Sequence, residues 1–271
     1  ALSLTYTANE ERILFKTPDA NGKPYRIPAI TTAMNGDVIA ISDNRPCGSD
    51  VGYGEVDIKA RISTDNGATW GSEFFLFNGH GNDNNITFDY AFGDAAVVAD
   101  RESNKVLVMA VCGKTVCHNG AYDPNAANLG NPNRVAKVTG EYNESTRQWE
   151  WTTPVEVTNS IYSIFATGEE GSKTPTVTSL FIGSGRIMQS RVVKKGQYYR
   201  LYAALWTKNG GNRVIYSDDF GDTWHILGTV TDRPAPSGDE PKCEELPDGT
   251  VVLSSRKGYG RWFNLFTFTS T

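Results

Sequence analysis

Two octets constrain this chain more than any other feature. Residues 63–70 read Ser-Thr-Asp-Asn-Gly-Ala-Thr-Trp and residues 217–224 read Ser-Asp-Asp-Phe-Gly-Asp-Thr-Trp, so the pattern S-x-D-x-G-x-T-W occurs twice with all five specified positions kept. A repeat of this kind demands that one supersecondary unit recur, a tighter constraint than the propensities of its residues. Each octet follows a short run suited to a strand, Val56 to Ile62 and Arg213 to Tyr216. In that position Asp caps backbone amides, Gly adopts a positive φ and Trp packs beneath, which describes a hairpin turn. A third, eroded copy runs from Ser145 to Trp149. The octets are expected to fold the chain rather than to act on a ligand.

The segments Asp37 to Ser42, Lys105 to Val111, Tyr198 to Leu205, Thr250 to Ser254 and Arg261 to Phe268 are short, β-branched or aromatic, and bounded by Gly, Asn, Asp or Pro. They predict strands. The pairs Asn35-Gly36, Asn66-Gly67, Asn78-Gly79, Asn209-Gly210 and Asp248-Gly249 predict reversals between them. Glycine supplies 27 of 271 residues, above the typical ~7%, as a chain of many tight turns requires. Helical periodicity is hard to find, and an antiparallel all-β fold follows.

The 26 Lys and Arg against 31 Asp and Glu leave a formal charge of -5, with no Lys/Arg-rich run. A phosphate backbone finds no electrostatic footprint here, so nucleic acid is not an expected partner; a small anion held by local arginines stays open. No apolar run approaches the ~18 residues of a membrane helix, Val106 to Cys112 being the best, and no membrane span is expected. The opening residues ALSLTYTANEER lack the basic-then-apolar pattern of a secretory signal, which is absent or already removed. Cys47, Cys112, Cys117 and Cys243 match no zinc pattern with His80, His118 and His225. A Cys112–Cys117 bridge and four free thiols both stay open, and no metal or organic cofactor is implied.

The octets resemble the Asp boxes, or BNR repeats, of the sialidase (neuraminidase) superfamily. Tyr25-Arg26-Ile27-Pro28, one blade before the first octet, resembles the YRIP motif of its bacterial exo-α-sialidases. The resemblance covers nearly all of the chain and implies a six-bladed β-propeller of the sialidase type. Six blades of four strands need roughly 350 residues, so 271 residues supply about four blades and part of a fifth. Residues 1–271 then form one catalytic propeller, incomplete toward its C-terminus. The implied activity is hydrolysis of terminal sialic acid from glycoconjugates with retention. The implied partners are sialylated glycans and a C-terminal chain that completes the propeller. The implied location is secreted, cell-surface or periplasmic, where that substrate is found.

By the same resemblance Arg26 is a substrate arginine. A planar guanidinium grips both oxygens of the sugar's C1 carboxylate with paired charge-assisted hydrogen bonds, which lysine cannot do. The run Asp43-x-Arg45-Pro46-Cys47-Gly48-Ser49-Asp50 resembles the family loop ending in the acid/base aspartate, with Asp50 lying 24 residues after Arg26. Asp50 is then the acid/base and Asp57 its rival, while Arg45 supports the carboxylate site as a neighbour. An aspartic acid beside the leaving oxygen protonates it and later activates water, provided its surroundings raise its pKa. Phe92-Gly93-Asp94 resembles the segment whose Asp contacts polar groups of the sugar, with turn capping as the alternative role for Asp94.

The stretch Ser237 to Arg256 resembles the segment that holds the catalytic glutamate and the second substrate arginine. Glu240 lies 16 residues before Arg256, which suits the family spacing; Glu244 and Glu245 compete with it. In the family this carboxylate draws the proton from a tyrosine hydroxyl, since a phenol with a pKa near ~10 is a poor nucleophile at neutral pH. A neutral nucleophile also avoids the repulsion that a carboxylate would meet beside the sugar's own carboxylate. Ile182 to Gln189 resembles the Gly-rich loop near the glycerol-side pocket. The nucleophilic tyrosine and the third substrate arginine have no matching position, since neither Tyr259 nor Arg261 stands in the family context. A non-hydrolytic sialic-acid-binding propeller or an inactive fragment is the alternative reading; the joint presence of Asp50 and Glu240 argues against the binder, and a trans-sialidase is a third.

Overall fold

The computed structural model describes residues 12–82, 84, 87–169, 171–229, 235–257 and 262–269. Four sheets follow one another along the chain. The first runs Tyr25–Thr32, Val38–Asn44, Asp57–Ser63 and Phe74–Phe77, each strand antiparallel to the next. The second runs Phe92–Ala99, Lys105–Cys112, Arg134–Asn143 and Gln148–Trp151 in the same manner. In the third, Leu180–Ile182 and Met188–Lys195 share the partner Tyr198–Thr207, which leads to Arg213–Ser217 and His225–Ile226. Asp239–Glu245, Thr250–Lys257 and Trp262–Thr269 make the fourth.

Both faces of the middle strands are covered, and the two-residue period of a strand decides which core each side chain joins. Val106, Val108 and Ala110 pack with Ile39, Ile41, Ile58 and Phe77 of the first sheet. Leu107 and Met109, between them in sequence, pack with Leu201, Leu205 and Ile215 of the third. Tyr202 and Ala204 likewise turn away to meet Val251 and Leu253 of the fourth. The cores therefore lie between successive sheets, and Val38–Asn44 is buried at every position, as expected of a strand enclosed on both sides.

The length arithmetic allotted more blades than the described residues show, which are three sheets of at least four strands and one of three. The difference is spent between strands. Residues 113–133 carry the small pair Ala121–Tyr122 and Gly130–Asn131, and residues 157–179 carry a short helix, Thr158–Ser163, and a second small pair, Ala166–Thr167 with Thr174–Pro175. Asn78-Gly79 is also not a reversal: the Gly79 N–H donates to Asp57 Oδ1 at 2.9 Å as the chain passes from the first sheet to the second. All four cysteines are free thiols.

The two octets fold alike. Ser63 Oγ donates to Asp65 Oδ1 and accepts from the Gly67 N–H, both at 2.8 Å, and Thr69 closes on Asp65 through its N–H (2.7 Å) and hydroxyl (2.6 Å). Ser217, Gly221, Thr223 and Asp219 repeat each of these bonds. Gly67 and Gly221 take φ of 85° and 89°, a region open to glycine at no steric cost. The hydroxyl and amide donors hold the Asp65 carboxyl down at about 2. The eroded copy sits at the same place in its sheet, but there Asn143 caps the Ser145 and Thr146 amides instead of an aspartate.

Candidate active site

Three of the four sheets begin with the same backbone irregularity. The ladder slips between Arg26 and Ala29 in the first sheet, between Gly93 and Ala96 in the second and between Asp239 and Lys242 in the fourth. At each slip one residue that is not glycine takes the left-handed conformation: Ile27 at φ 51°, Asp94 at 55° and Glu240 at 49°. Such a backbone costs of order 1–3 kcal/mol per residue, and a bulge re-aims the side chains around it. Here the slips turn Arg26, Asp94 and Glu240 into one cavity of about 340 Å³, which Arg45, Asp50 and Arg256 also line. The six candidate residues thus converge from four chain segments onto a single pocket at one end of the strands. The octet turns stand at the opposite end.

Arg26 is exposed and makes no ion pair among the described residues, so its guanidinium is available to an anion. Ser42 Oγ donates to the Arg26 carbonyl at 2.8 Å and fixes the backbone behind it. Arg256 Nε lies 2.8 Å from Glu240 Oε2, and its Nη2 lies 3.6 Å from Asp239 Oδ2. This pairing orients the arginine and partly neutralises the glutamate.

Beneath them Arg45, 1% exposed, faces three carboxylates: Asp43 at 3.0 Å, Asp50 at 3.3 Å and Asp94 at 3.9 Å. One guanidinium thus serves three carboxyl groups in a largely buried place, and burial raises the pKa of two of them. Burial, then the charge of Asp50, pushes the Asp94 carboxyl up to about 6, with Arg45 opposing and Glu240 adding to the rise. Burial, with the Asp94 charge second, pushes Asp43 well above the usual carboxylate range against the pull of Arg45. Asp50 is 56% exposed and reaches into the pocket, its Oδ1 accepting the Val51 N–H at 2.9 Å.

The rivals stand elsewhere. Asp57 is 2% exposed, lines no part of the pocket and is occupied by the Gly79 amide. Glu244 pairs with Arg186 and Arg191 at 2.9 and 3.4 Å, and buried Glu245 accepts the Ser190 hydroxyl at 2.5 Å. Of the Gly-rich segment, Ile182 and Ser184 line the pocket, whereas Gly185 and Arg186 pair in parallel with Ala96 and Val97. Tyr259 and Arg261 lie outside the described residues.

Sequence reasoning missed four contributors. Tyr53 lines the pocket from the same loop as Asp50, and Asp239 borders it beside Glu240. His118, with φ 72°, sets its ring edge-on to Trp206 at 4.2 Å and its Nε2 3.9 Å from Asp239 Oδ1. Asp43 lies under the floor. Asp43 and Asp239 carried a signal in the sequence, as members of the runs Asp43 to Asp50 and Ser237 to Arg256.

No family-level sequence model matches the chain. Individual relatives do. It is 30% identical over 237 residues to a sialidase of Micromonospora viridifaciens, an alignment covering 86% of this chain and 32% of the relative. To a sialidase of Paraclostridium sordellii it is 28% identical over 240 residues, covering 87% and 53%. The chain thus spans from about a third to somewhat over half of the curated relatives it matches. Among solved structures, a Hadza microbial sialidase superposes with a TM-score of 0.66 at 22% identity, covering 90% of this chain and 44% of that one. Trypanosoma rangeli sialidase in complex with sialic acid superposes at 0.64 with 18% identity, covering 91% and 36%. The fold is that of the sialidase β-propellers, an all-β arrangement of packed antiparallel sheets. By its sequence relatives, the chain belongs to the family of the bacterial sialidases.

Proposed function

We propose that the chain contributes four blades to a six-bladed exo-α-sialidase propeller that releases terminal sialic acid from glycoconjugates with retention. The observation that carries this reading is the single pocket in which Arg26, Arg256, Asp50 and Glu240 meet. Arg26 and Arg256 take the C1 carboxylate, Arg26 with a guanidinium free of ion pairs among the described residues and Arg256 with one already oriented by Glu240. Asp94 holds polar groups of the sugar from the floor, and Arg45 beside it supports the carboxylate site as a neighbour. Asp50, exposed to the pocket beside Arg45, protonates the leaving oxygen and later takes a proton from water. Glu240 accepts the proton of a tyrosine that attacks the anomeric carbon. That tyrosine and a third arginine come from polypeptide beyond these 271 residues, as does the rest of the propeller. Such an enzyme is secreted, cell-surface or periplasmic, where its substrates are displayed.

The test is Asp50→Ala in the full-length protein, assayed on sialyllactose and on 4-methylumbelliferyl sialoside. The alkyl leaving group needs a proton and the aryl one hardly does, so turnover of sialyllactose falls by a factor of about 100 more than that of the aryl sialoside. Equal losses on both overturn the role of Asp50. Binding of sialic acid without release by the unaltered protein identifies a sialic-acid-binding propeller, and transfer of the sugar to an added acceptor identifies a trans-sialidase.

A further inference from the structure

Asp43 touches no part of the pocket surface, yet two pocket groups hang from it. Its side chain is 0% exposed. Oδ2 accepts a hydrogen bond from Arg45 Nη2 at 3.0 Å, and the two carboxylate oxygens share the Asp94 N–H at 3.1 and 3.3 Å. That bond from Arg45 is the only one its side chain makes among the described residues, because its Nε and Nη1 have no partner. The Asp94 amide belongs to the residue with φ 55° at the ladder slip. Gly93, just before it, approaches so closely that a Cβ there would lie 3.1 Å from Asp43 Oδ2. In register Asp43 stands opposite Arg26 on the neighbouring strand.

We propose that Asp43 is a positioning residue of the site, clamping Arg45 of the first sheet and the left-handed backbone of Asp94 in the second so that both meet the ligand as one unit. The inference rests on the sialidase reading of the pocket. Arg45 has two unpartnered donors and a long side chain, so without Asp43 nothing among the described residues fixes its rotamer by a hydrogen bond. Asp94 without its amide acceptor has less to hold it in the left-handed region.

The test compares Asp43→Asn and Asp43→Ala in the full-length protein, measuring calorimetric affinity for 2-deoxy-2,3-didehydro-N-acetylneuraminic acid together with KM, kcat and melting temperature. Asparagine keeps an acceptor for the Asp94 amide but loses the charge facing Arg45, and alanine loses both. Affinity falls about 10-fold for Asn and about 100-fold for Ala, KM rises in parallel and kcat stays within about threefold, since one charged hydrogen bond is worth about a tenfold change. Added to Arg45→Ala, the Asn change costs less than about threefold, because its partner is already gone. Asn and Ala variants that melt early yet keep the parent KM and affinity show a merely structural role and overturn the proposal. So does full additivity with Arg45→Ala. Failure of the unaltered protein to bind the analogue overturns the sialidase reading itself, and the proposal with it.

Discussion

Replacing Gly183 by Ala asks whether the fourth sheet is held in place by a contact made in the third. Gly183 has an ordinary backbone, so glycine is needed there for space. A Cβ would lie 1.8 Å from the Pro241 carbonyl oxygen, 2.9 Å from its carbon and 3.4 Å from the Ala204 oxygen. Real Cβ atoms essentially never approach below 3.0 Å, so Pro241 and residue 183 must separate by at least about 1.2 Å. Gly183 cannot recoil freely, because its N–H donates to the Ala204 oxygen at 2.8 Å. The shift therefore falls on Pro241, the residue after Glu240, whose own backbone is already left-handed. Misplacing a reacting group by about 1 Å costs on the order of 100-fold in rate, and overpacking costs roughly 1–3 kcal/mol of stability. The assay is kcat/KM on an aryl sialoside with the full-length protein, beside a thermal melt. Gly71→Ala is the control: its Cβ meets only the Ile62 oxygen, at 3.3 Å, and it keeps near-parent activity. A Gly183→Ala protein with the parent's kcat/KM and melting temperature refutes the reasoning.

Three further outcomes follow from the structure. Burial pushes Asp57 from its ordinary 3.8 up to about 6, so the folded chain keeps a proton that the unfolded chain has released, and stability falls as pH rises through that window and is level above it. Asp57→Asn removes the fall and gains about 2 kcal/mol at pH 7 with no gain near pH 3, read by urea titration at both; an equal change at both sinks the argument. Asp219→Ala strips the cap from Thr223 and Asp222 and lowers stability by about 2 kcal/mol. It leaves KM untouched, and a KM change of tenfold contradicts the separation of octet and site. Arg26→Lys keeps the charge but loses the two-pronged grip, so affinity for a sialic acid analogue drops by about 10- to 100-fold, measured by calorimetry; parent-like binding rules out a bidentate role.

What could be read from the residue order was what local chemistry writes. The octets announce their turns because Ser, Asp, Gly, Thr and Trp each make a bond or contact within eight residues. The site candidates were found by motif, and all six line the pocket. Asp43 could not be read this way: its second partner, Asp94, lies 51 residues away, and only the packing of two sheets brings them together. His118 sits on a long connection whose path no periodicity describes. The same connections took up the length that the blade arithmetic had assigned to strands, and Asn78-Gly79 failed as a reversal because tertiary packing claimed its glycine for close approach to Val56.

The opposed placement of pocket and octet turns gives the molecule a front and a back. Thr64, the first variable position of the first octet, is exposed and lies on the back. With the partly exposed free thiols Cys47, Cys117 and Cys243 replaced by serine, a cysteine introduced there for maleimide coupling would anchor the protein to a bead or sensor surface with the pocket facing the liquid, an orientation that random coupling through its scattered lysines could not give.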